Sequence, residues 1–345
     1  MRSDLIYPKW INAEGYLSNI VITSRIRIAR NLEKYSFPAH STKEVLKKVQ
    51  AHISENIDSS HLFDDFSCYN LDELSEIDSK VLVERHLISK AFGENRFAKT
   101  VYIDSTGVSS IMLNEEDHLR IQCIDAGLEL EKLYEKINSI DDNLEGFLDF
   151  AFNDNWGYLT SCPTNAGTGI RASVMLHLPA MAMSNLIQKM IPSVLQIGLT
   201  IRGIYGEGSE ITGNIFQLSN QVTLGHSEQD ILQKIKCITQ QIVETELNAR
   251  KDLKKEAKLQ ISDRVNRAYG ILKNARLMGH LEAMELLNVL RLGIDLEILN
   301  GFPLRLINDL FVLTRPSNLQ SYKGRKLNPA QRDKVRADIL REKIL

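Results

Sequence analysis

The chain has 345 residues, 43% hydrophobic and 25% charged, which excludes a disordered polymer and leaves room for one large domain with a smaller one beside it. A formal net charge of −2 excludes a general attraction for nucleic acid or anionic lipid, so an anion site must come from arginines gathered locally. Cys68, Cys123, Cys162 and Cys237 are too scattered for a zinc site or a disulfide framework, and with neither a signal-peptide pattern nor a membrane-length apolar run the expected location is the cytoplasm.

Residues 19–28 alternate and predict a strand, with Ile20, Ile22, Ile26 and Ile28 on one face and Thr23, Arg25 and Arg27 on the other. Val45, Val49, Ile53 and Ile57 follow with helical spacing. Strands are predicted over 99–103, 108–113 and 118–124, the first two joined by a turn at Asp104-Ser105-Thr106-Gly107. In the third, Leu119, Ile121 and Cys123 face a core while His118, Arg120 and Gln122 face the other way. Extending that strand backward adds Glu116 to the polar row.

Leu130, Leu133, Ile137 and Ile140 predict a second helix, and 169–178 another strand with Arg171, Ser173, Met175 and His177 on one face. A strand over 213–219 and a helix through Ile231, Ile235, Ile238 and Ile242 complete an antiparallel sheet covered by helices, an α+β fold. Beyond the charged stretch 249–258 the pattern is helical throughout, as at Ala283, Leu286, Leu287, Leu290 and Ile294, which places a boundary near residue 255. The expected units are therefore 1–254, catalytic, and 255–345, a helical domain for assembly or regulation.

Any one of these strands could carry arginine on a solvated face paired with acids. Three such strands in one sheet bring Arg25, Arg27, Arg120 and Arg171 together, and their mutual repulsion calls for a polyanion. A nucleoside triphosphate fits, because guanidinium forks match phosphate oxygens. Residues 161–169 form a small-residue loop containing Cys162 and Asn165, and residues 202–210 combine Arg202 with glycines, Glu207 and Glu210, as a closing loop would. Neither a Walker sequence nor the HRD and DFG runs of ordinary protein kinases is present.

The run TSRIRIAR at 23–30, NEEDHLR at 114–120, CPTN at 162–165 with Gly167-Thr168, and Arg202-Gly203 with Gly206-Glu207 resemble the phosphagen (guanidino) kinases over roughly residues 15–250. YGEGSE at 205–210, SNQVTLG at 219–225 and RDKVRA at 332–337 are most similar to the bacterial protein-arginine kinases of the McsB type.

The resemblance implies that Arg25, Arg27, Arg120, Arg171 and Arg202 hold ATP phosphates, with His118 beside the nucleotide. It implies that Glu116 holds the acceptor guanidinium and acts as base, with Glu207 as the second carboxylate and Cys162 and Asn165 orienting guanidinium and loop. Magnesium would be carried by the phosphates, without a protein metal cage. Arg332, Asp333 and Arg336 would receive a phosphoarginine, two guanidiniums on the phosphoryl oxygens and the carboxylate on the guanidinium. Arginine-bearing proteins, a zinc-binding activator protein, a Clp-type unfoldase and further copies of the chain are the implied partners. Met175 stands where the family usually has a histidine against adenine, and its sulfur can still pack on a base. Two alternatives stay open: a kinase for a free guanidino compound, and an inert phosphoarginine-binding module. About 20 residues before the first arginine strand leave little for a small-substrate lid, which favours a protein-borne acceptor.

Overall fold

The computed structural model describes residues 5–203 and 214–344. Its centre is an antiparallel sheet of eight strands built from β1 (Val21–Arg30), β2 (Phe66–Asn70), β3 (Thr100–Asp104), β4 (Ser109–Leu113), β5 (Leu119–Ala126), β8 (Ile170–His177), β9 (Leu199–Gly203) and β10 (Ile215–Asn220). A separate two-stranded hairpin joins β6 (Phe152–Asn153) to β7 (Gly157–Tyr158). The order across the large sheet is β2-β3-β4-β5-β1-β8-β10-β9, which puts the first arginine strand at the centre between the other two.

Alternation gives this sheet two different faces. On one, Ile26, Ile28, Ile121, Cys123, Ala172 and Val174 pack against the helices Lys43–Ser60, Leu130–Glu145 and Glu228–Glu256 through Val49, Ile53, Leu133, Ile137, Ile235 and Ile242. Side-chain caps start two of these helices: the Thr42 and Ser227 oxygens accept from the backbone N–H groups of Val45 and Asp230. One isoleucine departs from the predicted row. A bulge between Val21 and Thr23 turns Ile22 to the opposite face, where it joins Ile124, Met175 and Ile215.

That second apolar patch is covered by the C-terminal helices through Leu287, Leu290, Ile307 and Leu310. The helix Glu228–Glu256 stops at Ala257, after which Lys258–Asn274 begins and everything onward is helical. Buried arginines fix the helical part to the sheet. Arg250 reaches Glu246 at 2.7 Å, Asp295 at 2.9 Å and the His177 carbonyl at 3.1 Å, while Arg291 reaches Asn308 and the Ser18 carbonyl, both at 2.7 Å. The helices therefore close one end of the arginine-bearing face and leave the other end open.

Candidate active site

On the open part of that face, Arg27 lies directly across from Arg171 on β8 and across from Gln122 on β5. Arg25 is level with Ser173, and Arg120 with Ala29. Arg202 on β9 is level with Gln217 of β10, which in turn accepts a 3.1 Å hydrogen bond from Arg25 Nη2. All five expected phosphate arginines thus stand on one face of one sheet. Burial, followed by Arg120 and Arg171, pushes the Arg25 guanidinium down to about 10. Burial, then Arg25, Arg120 and Arg171, pushes Arg27 well below its usual value, and burial with Arg120 and Arg202 lowers Arg171. Arg27 Nε and Arg171 Nε are buried without a hydrogen-bond partner among the described residues. Such a cluster is destabilised by itself and stabilised by an anion.

The carboxylates enter from the turn before β5. The strand begins at Leu119 and does not extend back: Asn114 adopts φ +60, and the turn closes through Asn114 N to the His118 carbonyl and Glu115 N to the Asp117 carbonyl. The predicted row of Glu116, His118 and Arg120 does not form. Glu115, unremarked in the sequence, instead pairs with Arg120 and accepts from Ser89 Oγ at 2.5 Å. Burial alone would raise its pKa, but Arg120 holds Glu115 below the usual range. Glu116 is free of that pair and lines a cleft with Arg27, Arg120, Arg171, Cys162 and Asn165. Burial, then Asp117 and Glu115, pushes its carboxyl above the usual range, the condition of a group ready to accept a proton.

His118 is fully buried and does not face the cleft. Its Nδ1 accepts from Leu32 N at 3.0 Å, its Nε2 lies 3.1 Å from the Ser36 carbonyl, and Tyr35 and Phe37 meet its edge. Burial pushes it down to about 4. It anchors the segment after β1.

Asp117 does the joining. Its Oδ1 accepts from Asn31 Nδ2 and from Ser161 N, both at 2.6 Å, and Ser161 Oγ donates to the Glu116 carbonyl at 2.8 Å. The Glu116 turn and the Cys162 loop are thereby one unit. Cys162 Sγ lies 3.0 Å from Thr164 Oγ1, and Thr223 Oγ1 holds the loop's far side by donating to the Ala166 carbonyl at 2.6 Å. The loop re-enters β8 at Gly169, with φ +70, where a Cβ would stand 2.7 Å from the Ala29 carbonyl oxygen. Only glycine allows that approach.

His86 is a second residue the sequence did not reveal. It follows the helix Glu76–Glu84 with φ +61, lies against Trp10 at 5.7 Å between ring centroids, and accepts from Gln122 through its carbonyl at 2.8 Å. Burial, then Arg315 and Arg25, pushes its imidazole well below the usual value, placing a neutral ring at the Arg25 end of the site. Glu207 and Glu210 lie outside the described residues.

Residues 44–249 match the family described as ATP:guanido phosphotransferase, C-terminal catalytic domain, and residues 258–345 match the protein-arginine kinase McsB C-terminal domain. A protein-arginine kinase of Bacillus pumilus is 45% identical over 338 residues, covering 97% of this chain and 93% of the relative. One from Halalkalibacterium halodurans is 45% identical over 343 residues, covering 99% and 96%. The chain belongs to the protein-arginine kinase branch of the ATP:guanido phosphotransferases. It shares its fold with a lombricine kinase, at TM-score 0.59 and 20% identity over 71% of this chain and 72% of that one. It also shares it with the duplicated taurocyamine kinase of Schistosoma mansoni bearing transition state analog components, at TM-score 0.61 and 23% identity over 79% of this chain and 40% of that one.

Family membership makes the chain a guanidino phosphotransferase. Among the described residues no cluster of three or more His, Cys, Asp or Glu side chains could hold a metal ion, and no helix is long and apolar enough to cross a membrane.

The C-terminal motif divides in the structure. Arg336 is buried, with Nε donating to the Thr314 carbonyl at 2.8 Å, Nη1 to the Met278 carbonyl at 2.6 Å, and Nη1 paired with Asp333 at 2.7 Å. Its Nε and Nη1 are engaged in holding the Thr314 and Met278 carbonyls and Asp333. Arg332 alone turns outward, into a groove with Pro316, Gln320 and Lys326 from its own domain and Glu76 and Lys80 from the sheet domain.

Proposed function

We propose that the protein transfers the γ-phosphoryl group of ATP to arginine side chains of other proteins. The observation that carries this reading is the junction of two chemistries in one cleft: guanidiniums on the sheet face, and the Glu116 carboxylate, raised in pKa, on a turn pinned to the Cys162 loop. Arg25, Arg27, Arg120, Arg171 and Arg202 bind and align the phosphates, whose oxygens would carry a magnesium ion to offset further charge. An acceptor guanidinium is a poor nucleophile because it is protonated and delocalised. Glu116 orients it and takes a proton as the N–P bond forms and the bond from phosphorus to the β–γ bridging oxygen breaks, leaving ADP. Glu115 pairs with Arg120 and leaves Glu116 free for the acceptor. Glu207 is the second carboxylate in this reading, and Cys162 and Asn165 border the guanidinium.

The protein-borne acceptor is supported by relatives named protein-arginine kinase over nearly their whole length. In the same reading Arg332 and Asp333 receive a phosphoarginine of another copy, and marked proteins pass in the cytoplasm to a Clp-type unfoldase under control of a zinc-binding activator. The test of the acceptor is to offer ATP and magnesium with an unfolded arginine-rich protein, free arginine or creatine in parallel. Acid-labile phosphate should form on the protein in preference to either small compound. Faster transfer to a free guanidine would make this a phosphagen kinase.

A further inference from the structure

The hairpin of β6 and β7 stands beside the Cys162 loop and is bound to it. Tyr158 N donates to the Gly167 carbonyl at 2.8 Å, and Gly167 N returns to the Tyr158 carbonyl at 3.3 Å. Gly157, with φ +71, lets the two backbones touch: a Cβ there would lie 2.5 Å from the Gly167 oxygen. Arg30 stacks on Tyr158 at 3.4 Å from the ring centroid, and Phe152 meets the same ring at 5.2 Å. The hairpin is therefore a rigid extension of the wall that carries Cys162 and Asn165, not a loose loop.

Two large aromatic side chains are left in water on this element: Phe152 is 56% exposed and Trp156 57% exposed. Single exposed apolar residues are ordinary, but two on one hairpin braced against the loop that carries Cys162 form an anchor of the kind that dominates interface cores. The surroundings are acidic. Asp154 at the turn, and Asp142 and Glu145 on the neighbouring helix, are exposed, and Glu145 accepts from Tyr158 OH at 3.2 Å. Apolar anchors in an acidic rim complement a polypeptide that is cationic and partly apolar.

The geometry points to this hairpin as the docking surface for the acceptor polypeptide, with Phe152 and Trp156 gripping apolar residues that flank the target arginine while the acidic rim accommodates its charge. This rests on the arginine-kinase reading for the identity of the occupant. It also gives that reading a substrate class: extended, unfolded segments whose apolar residues are accessible, since a folded protein keeps such residues inside.

The test is binding, with phosphoryl transfer scored separately. Two unstructured synthetic peptides carry one arginine each, flanked by leucines in one and by glycines in the other, and are titrated by fluorescence anisotropy. The intact protein should prefer the leucine peptide, and Trp156→Ala should weaken that complex by at least about tenfold. The glycine peptide's affinity and the thermal shift caused by ATP should not change, and Trp156→Phe should retain the preference. Equal affinity of Trp156→Ala and the intact protein for the leucine peptide overturns the inference. So does a fall in sedimentation coefficient in Trp156→Ala, which would make the hairpin a contact between copies. Trp156-dependent binding without phosphoarginine formation would support the docking surface and count against the arginine acceptor. Phosphoarginine formed with unchanged peptide KM in Trp156→Ala would do the reverse.

Discussion

Arg27 and Arg171 face each other across adjacent strands, and neither Nε has a hydrogen-bond partner among the described residues. Two guanidiniums so placed, with Arg25 and Arg120 close enough to depress Arg27 and with Arg120 and Arg202 depressing Arg171, are held together by the sheet against their own repulsion. Arg171→Met should therefore leave the ligand-free protein at least as stable, while removing most of the rise in melting temperature that ATP or pyrophosphate produces. Differential scanning fluorimetry with and without nucleotide checks both halves. A large loss of stability without ligand would mean that the arginine supports the fold.

Glu116→Gln should fold and bind ATP but lose roughly 10²–10⁴ in turnover, the range for a positioned acid–base group. Its pKa is raised in the folded state, so the native protein holds this proton more tightly than the unfolded chain. The carboxylate therefore lowers stability as pH rises from the ordinary glutamate range through the raised folded value. Glu116→Gln should consequently melt no lower than the parent at neutral pH. The acid limb of kcat/KM should lie above the ordinary glutamate value in the parent and vanish in the variant.

Cys162→Ala should reduce turnover without abolishing it. The thiol borders the cleft and contacts Thr164, but the loop's position is set by Asp117 through Ser161 and by Thr223 through Ala166. Steady-state rates, with mass spectrometry to exclude a phosphocysteine, decide this. An inert alanine variant or a trapped covalent species would assign the sulfur a larger part.

The two C-terminal arginines should behave differently. Arg336→Ala removes a buried side chain that satisfies two carbonyls and pairs with the half-exposed Asp333, and should cost about 1–3 kcal/mol through the carbonyls left without their donor. Arg332→Ala should leave the melting temperature unchanged within error and abolish any effect of free phosphoarginine on sedimentation or rate. If both variants melt like the parent, Arg336 is not the anchor its contacts describe.

Much of the site could be read from alternation alone. Arg25, Arg27 and Arg171 recur at every second position in strands whose other face is apolar, and that pattern fixes a face without fixing a partner. Glu116 and His118 could not be placed the same way, because the strand starts at Leu119 and the turn before it breaks the two-residue period. The bulge that redirects Ile22 is equally silent in the sequence, since both faces there are apolar. His86 packs against Trp10 and feels the charge of Arg315, both remote in the chain. Helical spacing put Arg332 and Arg336 on one side but could not show that Arg336 is buried against the Thr314 and Met278 carbonyls.

The most direct measurement is the formation of phosphoarginine on an unfolded acceptor protein, identified by fragmentation mass spectrometry under non-acidic conditions, with ATP, magnesium and either the intact protein, Glu116→Gln or Arg171→Met. The account predicts phosphoarginine with the intact protein and nearly none with either variant, although all three remain folded. Phosphate on serine, threonine or tyrosine instead, or undiminished phosphoarginine in the Glu116→Gln reaction, would contradict it.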